Sequence, residues 1–315
     1  MIHLEDIREA AAAIEGRIHR TPLLPTRSVS ERAGCTVLVK AECFQRTGSF
    51  KVRGVFNMIR SLTRDERARG LIGISAGNHA QALAYAAGAE HVKCTVVMPA
   101  KASPVKVAAS KGYGAEVVLH GDVFEAWQKM EDLRAELGYT FVHPYDDERV
   151  IAGQGTAGLE ILDDAPNVDV IVVPIGGGGL ISGIATAVKA ISPKARVYGV
   201  EPRGAAAMKQ ALDAGEPVRL SSIHTIADGL AAPIAGVNSL QYVKKFVDDV
   251  VLVDDDAIRD ALRYILERMK LLLEPAAVAG FAALFSGAIP DVAGKTVAVV
   301  ASGGNMDLAR LKDLV

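Results

Sequence analysis

Apolar residues recur along the chain in two alternating rhythms. At the start, Leu4, Ile7, Ala11, Ile14 and Ile18 fall three or four positions apart, which predicts a helix over 4–18 with one buried face. RTPLLP follows, its two prolines favouring an extended connector, and TVLVKAEC then alternates as a strand. From about residue 70 a unit of apolar run, small-residue loop and amphipathic run repeats. It reads LIGIS, AGN, HAQALAYAAG; then CTVVMP, AKASP, VKVAASKG; then EVVLHG, Asp122 and VFEAWQKMEDLRAELG. TFVHPY leads into a helix expected over GQGTAGLEILDDA, with Asp146, Asp147 and Glu148 before it as a solvated loop. VIVVPI, GGGG and LISGIATAVKAI continue the pattern, as do RVYGVEP, RG and AAAMKQALDAG. VVLV precedes AIRDALRYILERM, with Asp254 to Asp256 available as helix caps, and TVAVVA, SGGN and MDLARLKDLV close the series.

Apolar runs alternating with helices of about 10–15 residues predict βαβ units and an α/β fold of parallel sheets. Such sheets take ligands at the carboxyl ends of their strands. The units from about 70 to 145 suffice for a small sheet of their own, while the flanking segments close a larger one. The expected division is a large domain of 1–60 and 148–315 with a small domain of 61–147 inserted in it.

Composition narrows the function classes. Half of the 315 residues are apolar, the formal charge is −2, and no long run of one sign occurs, which argues against a nucleic-acid partner and a basic membrane surface. The opening MIHLEDIREAAAAIEG is acidic and amphipathic, unlike a leader, and no apolar run reaches about 18 residues. A cytoplasmic protein is expected. Cys35, Cys43 and Cys94 are odd in number and form no C-x-x-C pair, which fits reduced thiols, buried and inert.

Four loops carry candidate chemistry: GSFKVRG around Lys51, Ser75 to His79 (SAGNH), Gly176 to Leu180 (GGGGL), and Ser302 to Asn305 (SGGN). Four glycines between a strand and a helix let backbone N–H groups converge on an anion, and the helix dipole adds to the attraction. Phosphate is the natural ligand; a tight strand-to-helix turn is the plainer reading. No Lys follows the glycines as a Walker loop would require. A dinucleotide reading uses Gly177, Gly179 and Gly183, with Glu201 as the ribose-binding acid, and would make the chain a nicotinamide-dependent dehydrogenase. It leaves the other three loops without a role. A lone lysine between Phe50 and Val52 is ordinarily a strand-edge residue. Alternatively it is a Schiff-base amine whose pKa is lowered by burial. Asn78 and His79 read as helix caps or as part of a carboxylate site at a helix start, and Ser302 as a turn serine or a neutral partner for a ring nitrogen.

Taken in order, SFKVRG, SAGNHAQ, GGGGL, VEP, LLLEPA and SGGN resemble the pyridoxal-phosphate β-family (fold type II), within it the threonine/serine dehydratase and serine racemase branch. The resemblance covers the chain from RTPLL to SGGN. It implies two parallel-sheet domains with the active site in the cleft between them, and pyridoxal 5′-phosphate as cofactor. Lys51 would hold the cofactor as a Schiff base and act as the base at Cα. Phe50 would wall the ring, Asn78 would bond its 3′-oxygen, and Gly176, Gly177, Gly178, Gly179 and Leu180 would bind the phosphate. Ser302 would face the pyridine nitrogen, with Glu274 near the cofactor, where a helix-start cap beside Pro275 is the alternative. Ser75, Ala76, Gly77, Asn78 and His79 would border the substrate carboxylate.

The implied reaction is elimination of water from L-threonine or L-serine, giving a 2-oxo acid and ammonia. Serine racemisation, or dehydration of hydroxyaspartate or phenylserine, is the alternative on the same scaffold. The racemases carry a serine, a proton carrier, where Ala76 stands here, so dehydration is favoured. Their divalent-metal site begins at the residue matching Glu201, but Ala205, Ala206 and Ala207 supply no second carboxylate; a cation there would depend on carbonyls and water. Biosynthetic members carry a C-terminal regulatory domain; the sequence runs ten residues past SGGN, so the short catabolic type is expected. The family forms homodimers and homotetramers.

Overall fold

The alternating pattern resolves into two sheets. The computed structural model describes all 315 residues. Helices α1 (Leu4–Ile14), α2 (Arg27–Ala33), α3 (Lys51–Arg60) and α4 (Arg64–Arg69) are interleaved with strands β1 (Leu23–Pro25) and β2 (Thr36–Ala41) before the chain enters β3 (Leu71–Ile74). It continues through α5 (Asn78–Ala89), β4 (Cys94–Met98), α6 (Pro104–Gly112), β5 (Glu116–Leu119), α7 (Val123–Leu137) and β6 (Thr140–Phe141). Then come α8 (Glu148–Asp164), β7 (Val170–Pro174), α9 (Gly179–Ile191), β8 (Arg196–Pro202), α10 (Ala207–Ala214), α11 (Val237–Phe246) and β9 (Asp249–Val253). Helices α12 (Asp255–Met269) and α13 (Pro275–Phe285), strand β10 (Thr296–Ala301) and a last turn α14 (Leu308–Leu311) complete it.

One sheet has the order β1-β2-β10-β7-β8-β9 and the other β5-β4-β3-β6. Every pairing is parallel except β1 on β2, where Leu23 lies opposite Lys40. Strands β3, β4 and β7 are buried at every position, which explains why they read as continuous apolar runs. On one face of the six-stranded sheet Val172, Val200 and Val299 pack with Ile258 and Phe281 of α12 and α13; on the other Ile171, Val173 and Val300 pack with Ile161, Ile184 and Leu240 of α8, α9 and α11.

Helix α8 joins the two halves of the future site. Its glycines let backbones approach on both sides. A Cβ on Gly153 would lie 2.6 Å from Gly54 Cα in α3, and one on Gly183 in α9 would lie 2.3 Å from the Ile151 carbonyl of α8. No side chain larger than hydrogen fits at either crossing. The helix that begins with Lys51 and the helix that begins after the four glycines are therefore both set against one rod.

A buried ion cluster pins the same place. Arg53, on α3, donates from Nε and Nη2 to both oxygens of Glu42 at 2.8 Å and reaches Glu160 of α8 at 2.7 and 2.8 Å. Lys40 Nζ also binds Glu160, at 2.5 Å. Lys40, Glu42 and Arg53 have no exposed surface. Burial alone would raise the Glu42 carboxyl, but Arg53 above all, together with Lys40 and the Thr21 hydroxyl, more than offsets it and holds the group below the usual carboxylate range.

Several expectations need correction. The first helix ends at Ile14 rather than at 18, and Gly16 takes φ +72°. RTPLLP is in part a strand, β1, rather than a plain connector. Helix α8 starts at Glu148 because Asp147 caps it, accepting from the Arg149 N–H at 2.8 Å. Asp146 is tied to the Ser239 N–H at 2.9 Å, so 146–148 is not a free solvated loop. MDLARLKDLV contributes only the four residues of α14. Cys35 and Cys94 are buried as expected, but Cys43 is half-buried; burial pushes its thiol up to about 11, so it remains protonated.

Candidate active site

The loops sit where parallel sheets place their ligands. Ser75 follows β3, Gly176 follows β7 and Ser302 follows β10, while Lys51 opens α3 after the segment that leaves β2. Lys51, Phe50, Ser75, Ala76, Gly77, Asn78, His79, Gly176, Gly177, Gly178, Gly179, Leu180, Glu274 and Ser302 all line one cavity of about 350 Å³. That volume lies within the range of small-molecule sites, about 300–1,000 Å³.

Backbone hydrogen bonds hold the loops in register. Phe50 N–H donates to the Ser302 carbonyl at 3.1 Å, Gly304 N–H to Gly48 at 2.9 Å, and Glu274 N–H to Gly303 at 3.2 Å. Ser49 pairs with Gly303 in an isolated antiparallel bridge, which gives that serine a backbone role not visible in the sequence. The Asn78 amide closes the network: its Nδ2 donates to Glu274 Oε1 at 2.6 Å and its Oδ1 accepts from Asn305 at 2.8 Å. Glu274 does stand at the N-cap of α13, but its side chain caps nothing there and turns to Asn78 instead.

Lys51 is not on a strand edge. It is the first residue of a helix, half-buried, with Nζ donating to the Pro144 carbonyl at 2.6 Å and lying 5.1 Å from the centre of the Phe50 ring. Burial lowers its pKa to about 8, with Glu274 pulling the other way. Glu274, itself buried, is raised to about 7 by the same loss of solvent, its Asn78 hydrogen bond opposing. His79 is driven down to about 3 by burial and by the Lys51 charge. It is neutral, and the hydrogen bond of its Nε2 with the Val142 carbonyl at 2.9 Å makes it a pin between loops rather than a proton carrier.

The glycine loop fits a phosphate by what its amides lack. The N–H groups of Gly176, Gly177, Gly178, Gly179 and Leu180 make no hydrogen bond within the protein, and they converge at the N-terminus of the 13-residue α9. Gly178 takes φ +102°, open to glycine at little cost. Gly177 lies under the Tyr145 ring, where a Cβ would be 2.3 Å away. At the other helix start, the N–H groups of Ala76, Asn78 and His79 are likewise without partners, and Gly77 donates to Ser75 Oγ at 3.0 Å. One cavity thus offers two anion-binding helix starts, a lysine amine of lowered pKa, a ring wall and a neutral hydroxyl at Ser302. These residues suit a phosphorylated aromatic aldehyde and an amino acid carboxylate.

Glu201 is not brought to this site. It is buried at the end of β8, and its two oxygens accept from Met208 N–H at 2.7 Å and Lys209 N–H at 2.9 Å, capping α10. The carboxylate that a ribose or a cation would use is already engaged, which removes the dinucleotide reading's acid. No cluster of three metal-ligating side chains occurs. Burial raises Glu201 to about 7. A carboxyl raised in the fold contributes stability below about pH 4.5 that is lost as pH rises through 7, on the order of 3 kcal/mol in all. Glu201→Gln is therefore expected to gain stability relative to wild type between pH 5 and pH 8 in urea unfolding of the apoprotein. Parallel pH profiles would show that Glu201 titrates normally.

Sequence reasoning missed Pro144, Tyr145, Gln154, Lys106, Trp127 and Asp228, which also line the cavity. They arrive from α6, α7, α8 and irregular segments, and no motif marks them. The nearest signal was the glycine run, whose missing side chains make room for Tyr145.

Over residues 14–303 the chain matches the family described as pyridoxal-phosphate dependent enzyme. It is 42% identical over 316 residues to the L-threonine ammonia-lyase of Thermotoga maritima, covering 100% of this chain and 78% of that protein. It is 42% identical to the L-threonine dehydratase catabolic TdcB of Escherichia coli K12, over 99% of this chain and 96% of that one. Among solved structures, maize serine racemase superposes with a TM-score of 0.95 at 38% identity, covering 99% of this chain and 96% of the other.

Proposed function

Because the chain belongs to the pyridoxal-phosphate dependent enzymes, we propose that it dehydrates and deaminates L-threonine and L-serine to 2-oxo acids and ammonia, as an ammonia-lyase of the catabolic type. The observation that carries this reading is the meeting, in one cavity, of the Lys51 amine with the unpartnered N–H groups of Gly176 to Leu180.

In this reading Gly176, Gly177, Gly178, Gly179 and Leu180 bind the cofactor phosphate. Phe50 walls its ring, Asn78 offers the second hydrogen of its amide to the ring oxygen, and Ser302 presents a hydroxyl to the ring nitrogen. The amides of Ala76, Asn78 and His79 hold the substrate carboxylate at the start of α5. When bound, pyridoxal phosphate withdraws electrons from Cα and makes its proton acidic.

Lys51 would hold the cofactor through Nζ and, once released, would take the Cα proton. Its lowered pKa leaves a useful share of neutral amine near pH 8. Ser302 is neutral, so it would not hold the ring nitrogen fully protonated, which would favour loss of the β-hydroxyl over slower exits. Ala76, in the carboxylate loop, has no exchangeable proton to return to Cα. The β-hydroxyl departs as water, and the released enamine hydrolyses to the 2-oxo acid and ammonia. The division into a 61–147 small domain inserted in a 1–60 and 148–315 large domain belongs to the same reading; the separate sheet of β3 to β6 supports it.

The measurement is a comparison of products. With L-threonine or L-serine, 2-oxo acid release is expected to exceed formation of the mirror-image amino acid by at least about tenfold, since general acid–base assistance of the return step is worth about 10²–10⁴. Chiral chromatography of the remaining serine alongside 2-oxo acid detection reads both. Racemisation at a matching rate would move the chain to the racemases; absence of both products would end the reading.

A further inference from the structure

The Asn78 side chain has two chemically opposite ends, and the loops around it decide which one faces the cavity. Its Nδ2 carries two hydrogens. One goes to Glu274 Oε1 at 2.6 Å; the other has no acceptor in the protein, although Asn78 lines the cavity. A half-turn of the amide would put a carbonyl oxygen in that place, which would repel an oxygen on a ligand where the N–H attracts it.

Glu274 alone does not fix this choice. Burial raises its carboxyl to about 7, so near neutral pH it exists both as an acceptor and as a protonated group able to donate to an amide oxygen. Asn305 does fix it. One nitrogen, Asn305 Nδ2, donates both to Asn78 Oδ1 at 2.8 Å and to the Thr47 carbonyl at 2.7 Å. A main-chain carbonyl only accepts, so Asn305 must turn its nitrogen to this side, and Asn78 must meet it with oxygen. The nitrogen of Asn78 is then left for Glu274 and the cavity.

The surrounding backbone is shaped to this chain of amides. Thr47 takes φ +60°, a costly conformation for a β-branched residue, while its carbonyl meets Asn305. Gly48 beside it takes φ +71°, and a Cβ there would lie 2.5 Å from Asn305 Oδ1. A Cβ on Gly303 would lie 2.5 Å from Glu274 Oε1 and 3.2 Å from Asn78 Nδ2. Side chains at either glycine would break the chain. Asn305 itself is not among the residues that line the cavity.

We propose that Asn305 is a positioning residue which, acting through Asn78, makes this part of the cavity wall a hydrogen-bond donor to the ring oxygen of the cofactor. The inference rests on the placement of Asn78 beside that oxygen in the reading above. Asn305 moves no proton and touches no substrate; it sets the polarity of a neighbour.

The test is equilibrium dialysis of the apoprotein, in buffer free of phosphate and sulfate, against pyridoxal 5′-phosphate and against its 3-deoxy analogue, which lacks the ring oxygen. The ratio of the two Kd values is the preference for that oxygen. Asn78→Ala gives the preference without the donor, and wild type is expected to exceed it about tenfold or more, as a hydrogen bond to a charged acceptor would. Asn305→Asp keeps the size but has no N–H to offer, so Asn78 must turn its nitrogen to the new carboxylate. Its preference is expected to fall within about threefold of Asn78→Ala. Asn305→Ala, which leaves the Asn78 amide free to turn, is expected to fall between Asn305→Asp and wild type. Loss of packing alone would reverse that order, since alanine removes more of the side chain. An Asn305→Asp protein with the wild-type preference, or an Asn305→Ala protein with less preference than Asn305→Asp, would overturn the proposal. If Asn305→Asp does not fold, an Asn305→Ala protein with the full wild-type preference overturns it, and a reduced preference supports it. Equal preferences in wild type and Asn78→Ala would overturn the placement of Asn78 itself, so the two failures are told apart without any measurement of turnover.

Discussion

A Lys51→Ala holoenzyme is expected to lose turnover of L-threonine by about 10⁴-fold or more, because one amine both tethers the reacting group and moves the Cα proton. The structure places that amine where few other groups could substitute. Nζ has one protein partner, the Pro144 carbonyl, and the neighbouring His79 is neutral with its ring pinned to Val142. The absorbance band of an amine-linked cofactor should give way to that of the free aldehyde, and borohydride should no longer fix the cofactor to the chain, while the phosphate loop, built of backbone amides, still binds it non-covalently. Absorbance spectra and single-turnover kinetics at matched cofactor concentration check both halves. A variant that keeps the amine-linked band and its activity would remove Lys51 from the chemistry. A small added amine is expected to restore part of the rate, which a fold defect would not allow.

The second large effect concerns stability. Arg53→Met, similar in shape and uncharged, is expected to destabilise the apoprotein by about 3–5 kcal/mol, since it strands buried carboxylates. Glu42 would keep Thr21 and the nearby charge of Lys40, and Glu160 would keep Lys40 alone. Replacing Glu42 by Leu as well is expected to recover part of the loss, because the penalty lies in the uncompensated charge. A urea-unfolding double-mutant cycle measures the coupling. A single variant within about 1 kcal/mol of wild type would mean that water reaches the cluster and screens it.

The fold class and the four chemical loops were legible because each rests on local pattern. Strands β3, β4 and β7 are continuous apolar runs, and the glycine loop needs no distant partner to be recognised. Helix α3 was hidden. Val52, Gly54 and Val55 are poor helix formers, and the segment is helical because Val52, Val55, Phe56 and Ile59 pack into the core around β3 and α5. Helix α13 was hidden for the opposite reason: it is apolar on all sides and fully enclosed, so it has no period to detect. Within the site, Lys51, Asn78 and the glycines could be named from motifs, but Pro144 and Tyr145 could not. They reach Lys51 and the glycine loop from distant points in the chain, through the return of α8. Trp127 belongs to a helix that reads as an ordinary amphipathic surface element, because a cavity mouth and bulk solvent look alike to a sequence.

The five unpartnered amides of the glycine loop recognise an oxyanion and not the molecule that carries it. Inorganic phosphate or sulfate in a buffer therefore competes for the same place as the cofactor. Any apparent cofactor affinity measured for this protein is a joint property of the enzyme and its medium, and an amine buffer free of oxyanions is the reference state in which it should be defined.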